Sequence, residues 1–204
     1  MMKKTLLFVT MIALSATLYS QAFVGGSLGF SVSGSSETSG NTTVDGPTSA
    51  AFIVSPMAGY YLNSQMAIGV ELGLGVTSSN NNRTPTATKT TTTSIAISPF
   101  LRYHVVEMGP ISLFGQGSIG IGLGSTKIKT GSVSSDGPKT TSFEIAVRPG
   151  VSYKLTDQIA IEAFLGGLSY NHTTVKQPND DKDKDYEFGL SFSTALNLGF
   201  VYKF

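Results

Sequence analysis

The chain has 204 residues, a net charge of +1, 23 glycines, no cysteine and no tryptophan; 13% of its residues are charged, about half the ~25% of an ordinary soluble domain. The near-neutral balance argues against a nucleic-acid partner. The missing cysteine excludes a disulfide framework and a cysteine-borne lipid anchor.

Lys3 and Lys4 precede the apolar run Thr5–Leu18, and small and polar residues follow it. A basic head, a short apolar core and a small-residue exit predict a secretory signal peptide over residues 1–22. Cleavage falls after Ser20 or after Ala22, and the second fits the small-x-small rule better through Ser20 and Ala22. No later stretch holds 18 consecutive apolar residues, so no helix is expected to span a membrane. Residues 23–204 are then one domain, and a closed barrel is its only spanning option.

Eight segments alternate with the two-residue period of a strand that has one apolar and one wet face. Phe23–Val32 sets Leu28, Phe30 and Val32 against Gly25, Ser27 and Gly29. Ala51–Leu62 presents Phe52, Val54, Pro56 and Tyr60, and Met66–Val76 presents Ile68, Val70, Leu72 and Leu74 opposite Gly69 and Glu71. Thr93–Val105 presents Ile95, Ile97, Pro99, Leu101 and Tyr103, while Ile111–Gly124 presents Leu113, Ile119, Ile121 and Leu123. Phe143–Leu155 and Ile159–Tyr170 follow the same rule. Tyr186–Phe204 follows it without a break, with aromatics near both ends and leucines between. Pro56, Pro99 and Pro149 interrupt three of these strands, where a missing N–H predicts a bulge or kink.

The connections alternate in length. Asn63–Gln65, Glu107–Pro110 and Thr156–Gln158 are tight, whereas Gly34–Ala50, Thr77–Thr92, Ser125–Ser142 and Asn171–Asp185 are long, polar loops. An even strand number, short turns on one side and long loops on the other predict an all-β, eight-stranded, antiparallel, up-and-down transmembrane β-barrel. A soluble cup would turn its apolar face inward. Here the charges share a face with Gly and Ser, so that face is the lumen. The long loops are then expected on the cell exterior and both termini in the periplasm.

Ser55-Pro-Met-Ala-Gly-Tyr-Tyr-Leu-Asn63 with Met66-Ala-Ile-Gly-Val70, Ile97-Ser-Pro-Phe-Leu-Arg-Tyr103 and Val147-Arg-Pro-Gly-Val-Ser-Tyr153 resemble the small outer-membrane β-barrel family. The likeness is to the OmpA/OmpX type in its porin-family form, common in Bacteroidetes-like Gram-negative bacteria. Phe200, Tyr202 and Phe204 resemble the terminal signal read by barrel-assembly machinery. The resemblance implies an outer-membrane, cell-surface location and leaves the activity open, since the family mixes adhesins, host-interaction proteins and structural barrels.

Glu71, Arg102, His104, Glu144, Arg148, Lys154, Glu162 and Glu187 fall on lumen parity. Acids and bases inside so narrow a tube are expected to pair, because an isolated buried charge is costly. The expectation is a structural salt-bridge plug, with an ion path through the same groups as the alternative. Ser169, His172 and a nearby Asp form a weak candidate for nucleophilic catalysis. The acidic run Asn179–Asp185 invites a calcium reading, but interleaved lysines and the wrong spacing favour a solvated loop. The threonine-rich stretch before Thr93 either extends the barrel wall as a hairpin or forms a flexible loop.

The resulting expectation is a non-enzymatic, monomeric barrel without cofactor or metal, with a structural or adhesin-like role through its loops. The alternatives are a narrow channel for small solutes or ions and, more distantly, a lipid-modifying enzyme. Its partners would be outer-membrane lipid and lipopolysaccharide, the assembly machinery, and a host or cell-surface ligand at the loops.

Overall fold

The computed structural model describes residues 21–39, 42–81 and 87–204. Most of the predicted leader, residues 1–20, lies outside the described residues. Eight strands follow in order: β1 (Ala22–Ser39), β2 (Thr42–Tyr61), β3 (Met66–Asn81), β4 (Thr88–Met108), β5 (Ile111–Thr130), β6 (Val133–Lys154), β7 (Ile159–Lys176) and β8 (Lys182–Lys203). Each pairs antiparallel with the next, and β1 meets β8 to close the barrel.

Alternation decides which face is which. Along β3, Ile68, Val70, Leu72 and Leu74 are 40–44% exposed on the outside, while Ala67 just before them is fully buried and Gly69, Glu71 and Gly73 between them are less exposed. On β4, Ile95, Ile97 and Leu101 point out, and Phe100, Arg102 and His104 point in and are buried. The core is thus the lumen and the exposed belt is apolar, the inverse of a soluble barrel. Only an apolar surrounding phase stabilises such a belt.

The strands run 16 to 22 residues, well past the 9–11 that cross a bilayer. The excess lies at one end and replaces the predicted long loops. Asn81 pairs with Thr88, Thr130 with Val133 and Lys176 with Lys182. Thr88 and Thr130 are bonded across strands at 3.4 Å, and Thr92 and Thr126 at 3.1 Å. Both faces are wet there, so no hydrophobic period marks these extensions; threonine's strand preference and cross-strand pairing carry them. At the other end, Asn63 Oδ1 accepts from the N–H of Gln65 and Met66, and Thr156 Oγ1 accepts from those of Gln158 and Ile159, closing two turns locally.

Each strand proline keeps its register with one neighbour and interrupts the ladder with the other. Pro56 faces Gly26, Pro99 faces Val70 and Pro149 faces Gly115. On the opposite side the pairs run from Val54–Leu74 to Met57–Glu71 and from Ile97–Ile121 to Phe100–Ser118 with register kept. Only Pro149 coincides with a register shift, against β7.

The alternation predicted through β7 does not hold to its end. Leu165 points out, yet Leu168 and Tyr170, of the opposite parity, are also exposed. Gly166 between them sits at φ 108°, open to glycine and strained for other residues. Between the pairs Phe164–Asn197 and Gly166–Phe192, β7 advances two residues and β8 five, so β8 is not the unbroken ladder partner its sequence suggests. The β1–β8 seam is short, from Phe23–Lys203 to Ser27–Gly199. Beyond it, Phe30 at 75% and Tyr186 at 79% are more exposed than outward residues elsewhere in the belt.

Candidate functional site

Inside the tight-turn half of the barrel, large side chains lie over glycines of the neighbouring strand. Phe23 faces Gly59, Phe100 faces Gly69 and Phe114 faces Gly150 in direct register. A methyl group added at Gly59, Gly69 or Gly150 would come within 2.3–2.4 Å of the opposing ring. The glycines are therefore the seats of the aromatic rings, since a Cβ would occupy the ring's volume. Phe23, Met57, Ala67, Phe100 and Val201 form one buried cluster, with Tyr61 against it.

Arg102 stands in the middle of this aromatic layer and is fully buried. Its Nη1 donates to Glu162 Oε1 at 2.7 Å, and its Nε and Nη2 both donate to Gln116 Oε1, at 3.1 and 2.8 Å. The guanidinium lies 4.3 Å from the Phe114 ring centre and 5.6 Å from that of Phe100. A planar cation with donors in its plane and aromatic faces above it suits arginine rather than lysine. With Phe23, Gln116 and Val201 also under 2% exposed, this layer fills the bore among the described side chains.

The predicted network divides into levels. Arg102 and Glu162 are the buried pair. Arg148, in register opposite Gln116, pairs with Glu144 four residues back on β6, both part-exposed, and shares a cavity wall with Glu71. His104 Nδ1 contacts Ser112 Oγ at 2.8 Å, and its ring sits between Tyr61 and Phe114. Lys154 reaches Asp157 at the tight turn, 3.8 Å away and in solvent. Glu187 keeps lumen parity but is exposed near the hairpin end, apart from the plug. Gln116 and the inward aromatics were not legible as site residues, because the alternation marks only which face they share. A phenylalanine among the glycines of a wet face was the available signal.

Two cavities flank the layer. The larger, about 470 Å³, opens on the hairpin side and is lined by Ser27, Ile53, Ser55, Glu71, Arg148 and Phe164 among others. The smaller, about 90 Å³, lies on the tight-turn side against His104, Ser152, Lys154 and Lys203.

The catalytic candidate does not assemble. Ser169 lines the larger cavity, whereas His172, three residues on, shares the outward face of Leu168 and Tyr170. In the acidic run, Asn179 Oδ1 accepts from the Asp181 N–H, Lys176 is ion-paired with Asp180, and Asp180 takes φ 70°. The run is split between a tight turn, closed by the Asp180 N–H on the Gln177 carbonyl, and the first residues of β8, and no cluster of metal-ligating residues occurs among the described residues. Of the terminal aromatics, Phe200 points outward at 47% exposure, and Tyr202 and Phe204 stack edge to face at 5.0 Å.

A family model described as the outer membrane protein beta-barrel domain matches residues 5–204. The chain belongs to that family. As an outer-membrane β-barrel it is also similar in structure to the translocator domain of the autotransporter NalP from Neisseria meningitidis, at a TM-score of 0.51 and 14% identity over 91% of this chain and 67% of that one. Neisserial surface protein A aligns with 91% of this chain and 98% of its own at 18% identity and a TM-score of 0.41. Ail, the attachment invasion locus protein of Yersinia pestis, aligns with 90% and 99% at 15% identity and a TM-score of 0.43. At 14% identity the likeness to the NalP translocator domain is one of fold. No curated protein matches in sequence.

Proposed function

We propose that this outer-membrane barrel is a non-enzymatic, monomeric surface protein: a sealed scaffold that holds four extended hairpins outside the cell, where they contact surface ligands. The observation that carries this reading is the pairing of a filled bore with strands far longer than a bilayer requires. Arg102, Glu162 and Gln116 close the lumen among aromatic rings, which disfavours transport. The strand length not needed for crossing is ordered, threonine-rich sheet at one end, such as Thr88–Ser94 on β4. Such sheet presents backbone edges and side chains to a partner. Short turns belong on the periplasmic side of such barrels and long hairpins outside. That rule puts both chain ends in the periplasm, after removal of the leader.

The test has two arms. In planar bilayers, the refolded mature protein should be electrically silent, and so should the Glu71→Gln/Glu144→Gln/Glu162→Gln variant. Steady conductance that changes with these substitutions would make the barrel a channel. On whole cells, exchanging the β5–β6 and β7–β8 hairpin tips for short turns should abolish adhesion to a cell or matrix surface while leaving the barrel folded; adhesion that survives the exchange would sink the surface-interaction reading.

A further inference from the structure

Seven lysines lie in the hairpin half of the barrel, on β4 to β8, and the register puts every one on the outward face. Lys89 continues the parity of Ile95 and Ile97, and Lys127 and Lys129 that of Ile121 and Leu123. Lys139 continues that of Phe143 and Ile145, Lys176 that of Leu168 and Tyr170, and Lys182 and Lys184 that of Tyr186 and Phe188. All seven are exposed. The acids of β8 go the other way: Asp183, Asp185 and Glu187 alternate with these lysines and take lumen parity. Acidic neighbours on the outward side are few, with Asp136 opposite Lys127 and Asp180 paired to Lys176.

The lysines are also placed where they repel each other. Lys89 is directly opposite Lys129, and Lys139, Lys176 and Lys182 stand in one row across three strands. Like charges directly opposed on a sheet face destabilise it, their Cβ atoms being about 5 Å apart. Such an arrangement is favourable when an anion sits against it. Height identifies the anion. The lysines begin two to six residues beyond the last outward apolar side chain of their strand, from Lys184 beyond Tyr186 to Lys89 before Ile95. For strands tilted by ~45° this is roughly 5–15 Å above the hydrocarbon edge. That is the level of lipid headgroups, and the side chains point sideways into them, whereas a host polymer would approach the hairpin tips from above.

We infer that the outward lysines of β4–β8 form a basic girdle that binds phosphate groups of the outer-leaflet lipid, those of lipid A in lipopolysaccharide. The inference rests on the proposed orientation, with the hairpins outside. Its occupant is fixed by three things together: one-sided parity, like-charge rows, and a position just above the apolar belt.

The test is thermal unfolding of the refolded mature protein in neutral detergent, titrated with bisphosphorylated lipid A or with the same lipid after dephosphorylation. The phosphorylated lipid should raise the midpoint, the dephosphorylated lipid should not, and molar salt should remove the difference. In Lys89→Gln/Lys129→Gln/Lys139→Gln/Lys176→Gln/Lys182→Gln, the lipid A concentration needed should rise on the order of a thousandfold, each lysine near an anionic surface contributing roughly fivefold. Without lipid the same variant should unfold close to wild type, since relief of the like-charge rows offsets the lost exposed Lys176–Asp180 pair. Equal effects of the two lipids on the wild type would overturn the girdle, whether or not the variant folds. Stabilisation by soluble heparin as strong as by lipid A would overturn it in favour of a host polyanion. Orientation is checked separately: protection of the hairpins from protease on intact cells would sink the surface reading while leaving the detergent result untouched.

Discussion

Replacing Arg102 by Met removes a fully buried cation and leaves its partners in place. Glu162 loses the 2.7 Å ion pair and Gln116 loses two donors at 3.1 and 2.8 Å. Breaking a buried pair from one side costs about 3–5 kcal/mol, most of it from the carboxylate left uncompensated. Removing both charges is different. In Arg102→Met/Glu162→Leu the site keeps apolar volume among Phe100, Phe114 and Met57, and only Gln116 is orphaned, at about 1–3 kcal/mol. The double variant should therefore be more stable than Arg102→Met alone, with a coupling of at least ~2 kcal/mol. The assay is reversible urea unfolding in lipid vesicles, comparing midpoints at constant slope. If the losses simply add to within about 0.5 kcal/mol, Arg102 and Glu162 act independently, and the account of the plug as a mutually compensated pair is refuted.

The glycine seats predict that Gly150→Leu, driven into the Phe114 ring, costs about 1–3 kcal/mol as an overpacked core, and that Phe114→Ala in the same background restores part of the loss; the vesicle assay reads both. The Tyr61 N–H bonds to the Gln21 carbonyl at 2.8 Å and that of Phe204 to the Ala22 carbonyl at 3.1 Å, so cleavage after Ser20 keeps both bonds and cleavage after Ala22 removes both. Intact-mass measurement of the exported protein should therefore give Gln21 as first residue, against the small-x-small preference. At the β7–β8 hairpin, a hydrogen bond from Lys176, with its charge, holds the Asp180 carboxyl below its ordinary 3.8. A depressed acid stabilises the folded hairpin above the unfolded value and ceases to as pH falls through the folded one. Protection of the turn amides, taken relative to their intrinsic exchange rate at each pH, should thus stay constant down to about pH 4 and fall only below it. In the same turn Asp180→Gly should be tolerated, whereas Asp180→Val should loosen the hairpin, because φ 70° excludes a β-branched side chain.

Strand number, order, faces and the membrane were all legible in the chain, because a two-residue period reports directly which side of a sheet meets which medium. Residues such as Ile95, Ile97 and Leu101 against Arg102 and His104 needed no partner to be sorted. The family's motif stretches agree with that sorting. Strand ends were not legible, since above the belt both faces are wet and the period vanishes; cross-strand pairs such as Thr92 with Thr126 define them only in space. Nor could the period foresee the break at Gly166, where the surplus residues of β8 are absorbed.

By itself, then, the sequence determined a closed, lipid-facing barrel and the set of side chains confined to its bore. It did so because parity is a local property of extended backbone. Which of those side chains meet was decided by register between strands far apart in the chain. Arg102 on β4 finds Gln116 on β5 and Glu162 on β7, and Lys139 on β6 aligns with Lys176 and Lys182. A shift of one residue in any of these ladders would reverse the faces and dissolve both the plug and the basic girdle. Closure of the barrel holds every ladder in place at once, which no single strand encodes.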